Sequence, residues 1–67
     1  MAVAKVIEIS SSSKTSIEDA VKSGLKKVAG TVQGIQGAWI NDTKVETDGE
    51  GNVVEWRVNL RVTFLVQ

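Results

Sequence analysis

From Trp56 to Val66 the chain alternates without a break between apolar side chains (Trp56, Val58, Leu60, Val62, Phe64, Val66) and a largely polar set (Arg57, Asn59, Arg61, Thr63). A period of two marks an extended strand with one apolar and one wet face. Such a strand is well beyond the usual length, yet the chain has only 67 residues. Most of the remaining sequence is therefore needed to cover one side of it. Domains of this size bury only about 60% of the surface that their unfolded chains expose, so some further staple is expected. Cysteine and histidine are both absent, which removes disulfides, thiolate metal sites and the usual zinc ligand. Assembly with other copies of the chain is what remains.

Eight Lys and Arg balance eight Asp and Glu, and neither sign gathers into a block that would attract nucleic acid. The opening Met1-Ala2-Val3-Ala4-Lys5 lacks the basic stretch and apolar run of a signal peptide, and no apolar segment has the length of a membrane span. The expectation is a cytoplasmic protein with no nucleic-acid or membrane partner. With no proline and no linker-like composition, residues 1–67 read as one domain. Without histidine, cysteine or tyrosine, and with no acid pair whose spacing forces a cleft, the chain does not read as an enzyme.

Val3, Lys5, Ile7 and Ile9 against Ala4, Val6 and Glu8 predict a short two-sided strand, and Ser10 to Ser13 a loop. Thr15-Ser16-Ile17-Glu18 has capping-box spacing, with Thr15 as the cap. Ile17, Ala20, Val21, Gly24, Leu25 and Val28 then fall on one helical stripe. Gly24 weakens a helix interior by roughly 1 kcal/mol relative to alanine, and its expected purpose is to let the helix lie close to a sheet. Lys26 and Lys27 suit the last turn, and Gly30 is a C-cap.

A second extended segment runs from Val32 to Val45, with Ala38 and Ile40 on one face and Gly37, Trp39 and Asn41 on the other; its glycines permit a bulge. Asp48 to Asn52 closes a hairpin with the final strand. The order is α+β, a three-stranded antiparallel sheet (β-α-β-β) partly wrapped around one helix. One helix covers only one side. On the far side lie Trp39, Gly37, Arg57, Asn59 and Arg61, and an exposed tryptophan there either packs on a partner chain or stacks on an aromatic ligand. Asp48, Glu50 and Asn52 have the spacing that opens an EF-hand loop, but no glycine follows at the sixth position, so an exposed hairpin turn is the competing reading.

Taken together, Lys5-Val6-Ile7-Glu8-Ile9, the serine-rich cap, the Ala20-to-Val28 helix, the glycine-bearing second strand and Trp56 to Phe64 resemble the dodecins. The resemblance implies a non-enzymatic homododecameric shell for small-ligand binding or storage, with FMN or riboflavin between subunits as the family's role. Flavin-binding dodecins carry a stacking tryptophan in the second strand, where this chain has Gly37, with Trp39 at the acidic position two residues on. Their last-strand glutamine is replaced by Arg57, which has donors but no acceptor. The cofactor-contacting positions carried over are thus Gly37, Trp39 and Arg57. The chain looks closer to the branch that lacks that tryptophan, which includes calcium-binding members. On that reading Asp42 matches an acidic position that helps hold calcium or magnesium near a symmetry axis. A purely structural oligomer is the remaining alternative.

Overall fold

The computed structural model describes residues 3–66; Met1 and Ala2, which open the segment compared with a signal peptide, lie outside the described residues, as does Gln67. Four elements follow in order: β1 (Val3–Ser13), α1 (Ile17–Ala29), β2 (Ile35–Thr47) and β3 (Val53–Val66). The strands form one antiparallel sheet in the order β1-β3-β2, which puts the long alternating strand in the centre. This is the expected β-α-β-β arrangement.

The helix lies over β1 and β3. Val58, Leu60 and Val62 of β3 are buried with Ala20, and Ile7, Ile9, Ile17, Val21, Leu25, Val28 and Ile35 pack around them. That core is short for its sheet. Thirteen helical residues span about 20 Å, whereas the fourteen residues of β3 reach about 46 Å. The hairpin therefore runs on beyond the helix, giving extents of 53 × 19 × 13 Å.

Ser10 to Ser13 are part of β1 and do not form a loop. Ser11 and Ser13 pair with Val58 and Trp56 and so face the helix, where small side chains allow it to come close. Ser11 Oγ donates to the Ala20 carbonyl at 2.8 Å. Ser13 Oγ donates to Asp19 at 2.6 Å and accepts from the Thr15 amide at 2.9 Å. The cap is Ser16, one residue later than expected: its backbone is extended, and its hydroxyl accepts from the Asp19 amide at 2.9 Å, while the Ser13 hydroxyl accepts from the Thr15 and Ser16 amides. Gly30 caps the other end as expected, its amide donating to the Lys27 carbonyl at 3.1 Å.

Candidate functional site

The helix-free side of the sheet is the surface that needs explaining. Register places Gly37 opposite Thr63, Trp39 opposite Arg61, Asp42 opposite Asn59, Lys44 opposite Arg57 and Glu46 opposite Glu55. Simple alternation would put Trp39 and Asp42 on opposite faces. A bulge between Ile40 and Asp42 resets the phase and turns Asp42 to the Trp39 side; another between Ile35 and Gly37 sends Ile35 to the core and Gly37 away from it. Asn41, expected beside Trp39, is the extra residue of the first bulge, and Asp42 takes its place on that face.

From Gln36 to Val45 strand β2 is exposed on both faces. Trp39 exposes 62% of its surface on the far side, and Ile40 exposes 53% on the helix side, beyond the helix's reach. Beside Trp39, Gly37 has a negative φ, and a Cβ added to it would meet nothing within 4 Å. Among the described residues nothing requires glycine there. Gln36, Gly37, Ala38, Trp39 and Thr63 line a hollow of about 240 Å³, below the ~300–1,000 Å³ of sites that enclose a small molecule.

Arg57 belongs to a second hollow of about 300 Å³, lined by Asp42, Thr43, Lys44, Arg57 and Asn59. It stands six residues along β3 from Thr63, about 20 Å from the Gly37 shelf. The structure thus brings Gly37 and Trp39 together and sets Arg57 beside Asp42. Asp42 shares its hollow with two cations, and among the described residues no three carboxylates gather closely enough to hold a metal ion. Arg57 donates to Glu55 at 3.0 Å and Lys44 lies 3.3 Å from Glu46. Glu46 and Glu55, which no motif in the sequence marks, complete this charged surface. A larger groove of about 440 Å³ lies away from this surface, between the helix and the β1 edge, lined by Ile9, Ser11, Ser23, Gly24 and Lys27 among others.

The Asp48–Asn52 segment is a hairpin turn. Asp48 accepts from the amides of Glu50 at 2.8 Å and Asn52 at 3.0 Å, and from the Asn52 side chain at 3.0 Å. These bonds, the Asn52 side chain first, hold its carboxyl below the usual carboxylate range. Its oxygens are committed to the turn, which Gly51 completes at φ +85°. No helix among the described residues is long and apolar enough to cross a membrane.

Solved structures share this architecture. A variant of the Thermus thermophilus dodecin superposes with a TM-score of 0.92 at 22% identity, over 100% of this chain and 98% of that one. The dodecin from Streptomyces davaonensis gives 0.91 at 17% identity, over 98% and 96%. The calcium dodecin of Mycobacterium tuberculosis, a calcium-chelating immunodominant antigen with a novel calcium-binding site, gives 0.82 at 29% identity, over 97% and 91%. No curated protein matches the chain. The dodecin family model matches residues 3–67, nearly the full length, and the chain belongs to the dodecin family.

Proposed function

We propose that this chain is the subunit of a non-enzymatic, cytoplasmic dodecin-type shell, a homododecamer that stores a flat-ring ligand of flavin type, FMN or riboflavin, in the seams between copies. The observation that carries the reading is the shelf of Gly37 and Trp39. An indole 62% exposed stands beside a glycine whose missing side chain nothing in the chain replaces. Burying an aromatic of that size contributes a few kcal/mol, and a side-chain-free strand position suits close approach from outside. Arg57, about 20 Å along the sheet, reaches the same ligand only when a second copy supplies it. The seam, and not the single subunit, is then the binding unit.

A second reading has one observation in its favour. Among the described residues, the carboxylate of Asp42 takes part in none of the three ion pairs. Copies of Asp42 gathered on a symmetry axis would bind calcium or magnesium, the first being the ion named for the Mycobacterium tuberculosis relative.

Titrating ligand-free protein with riboflavin and FMN while following flavin fluorescence tests both. Quenching that saturates at about one flavin per subunit or fewer is the expected result. Absence of quenching, combined with a calcium-dependent rise in melting temperature, replaces the flavin store by the ion-binding shell. Indifference to both leaves a structural shell.

A further inference from the structure

We infer that Gln36 is the specificity-determining residue of the far-face shelf: its side-chain amide, together with the Thr63 hydroxyl, binds the imide edge of a flat ring stacked on Trp39. This rests on the flavin-type reading above and names the chemical group that the shelf selects, an N–H flanked by two carbonyls, as on the pyrimidine ring of a flavin.

The hollow beside Trp39 is lined by Gln36, Gly37, Ala38, Trp39 and Thr63, so its side chains supply one carboxamide, one hydroxyl and one indole. Gln36 is the extra residue of the bulge between Ile35 and Gly37, and register gives it no partner on β3. It is exposed, and the ladder makes no use of it. Thr63 stands directly opposite Gly37, about 5 Å across the sheet. Trp39 follows Gly37 on the same face, about 7 Å along β2. Between the indole and the two polar side chains lies a position with no side chain, where an added Cβ would meet nothing within 4 Å. The hollow thus has an aromatic wall at one end, polar groups at the other and bare backbone between. At about 240 Å³ it takes the edge of a ring and not a whole ligand.

That order suits a ring with an apolar face and one polar edge. A carboxamide presents a donor and an acceptor side by side in one plane, and a hydroxyl adds a second donor. Together they offer donor, acceptor and donor, the complement of carbonyl, N–H and carbonyl. Arg61, opposite Trp39, brings donors alone, so it satisfies a carbonyl and leaves the ring N–H without a partner. A donor taken out of water with no acceptor is strongly disfavoured. Gln36 is therefore the group that decides between ring ligands with and without that N–H.

The experiment compares riboflavin with N3-methylriboflavin, in which a methyl group replaces that one hydrogen, on the assembled protein and by quenching of flavin fluorescence. Wild type is expected to bind the methylated flavin about tenfold or more weaker than riboflavin. Gln36→Met keeps the reach of the side chain and removes both polar groups. It is expected to weaken riboflavin by about the same factor and to bring the two flavins within about twofold of each other. A gap that persists undiminished in Gln36→Met reports a clash with the methyl group and overturns the inference, as does equal binding of both flavins by wild type; either result leaves the flavin store standing. Wild type that quenches neither flavin overturns the flavin reading as well. Native mass spectrometry checks that the variant assembles as wild type does, and Gln36→Leu is read in the same way should Gln36→Met fail to assemble.

Discussion

Gly24 of the helix rests directly on Ser11 of β1: a Cβ on Gly24 would lie 2.8 Å from the Ser11 Cβ and 2.9 Å from its Oγ. No real pair of side chains tolerates that distance. The same serine hydroxyl donates to the Ala20 carbonyl at 2.8 Å, so the contact also carries a hydrogen bond between sheet and helix. Gly24→Ala gains up to about 1 kcal/mol of helix propensity but overpacks the seam by about 1–3 kcal/mol. The expected outcome is a net loss of stability of about 1 kcal/mol, read from the midpoint of urea unfolding, with Ser11→Gly partly restoring it.

The two candidate caps behave differently. Ser16→Ala removes the acceptor for the Asp19 amide and is expected to destabilise the subunit by about 1 kcal/mol. Thr15→Ala touches no cap and is expected to change little; equal losses from the two in thermal unfolding would contradict the assigned helix start.

Trp39→Ala leaves the folded subunit intact, since the indole is largely outside its core, but removes the largest exposed apolar group of the far face. Sedimentation should show assembly weakened by about 2 kcal/mol or more, with an unchanged far-ultraviolet circular dichroism spectrum.

Gly37→Ala separates the needs of the chain from those of the shell. A methyl group there meets nothing within 4 Å, so subunit stability should hold or rise by a few tenths of a kcal/mol. Flavin affinity should fall, because the same methyl rises from the shelf beside Trp39; flavin titration and urea unfolding of the one variant check both halves.

Asp48 gives the hairpin turn a pH dependence. Its carboxyl is held below its unfolded value by three donors, so its contribution is fully present above the ordinary carboxylate range and is lost as pH falls through its lowered value. Amide signals of Glu50 and Asn52 in a nuclear magnetic resonance titration should move in that acidic window. Asp48→Asn should abolish the movement, leaving the turn insensitive to acid.

Most of the architecture is legible in the residues. Strict alternation from Trp56 to Val66 identifies the central strand, and the spacing from Ile17 to Val28 identifies the helix laid on it, because burial selects those periods directly. The serine run is less legible. Four hydroxyls in a row carry no hydrophobic period, and only the close approach of the helix shows why Ser11 and Ser13 are small and inward. Gly37, Trp39 and Arg57 are recognisable as unusual in type. Their grouping is not, since six residues along β3 carry Arg57 away from the shelf and toward Asp42.

Composition and periodicity by themselves determine a small sheet with one covered side, stabilised without disulfides, and an aromatic left on the other side. Only the tertiary structure decides which charges share that face with Trp39. A bulge shifts the phase of β2 by one residue, and one residue is the whole difference between the two faces of a strand. Parity read along the sequence therefore sends Asp42, Lys44 and Glu46 to the wrong side, and pairing with β3 returns them to the far side, in alternating rows.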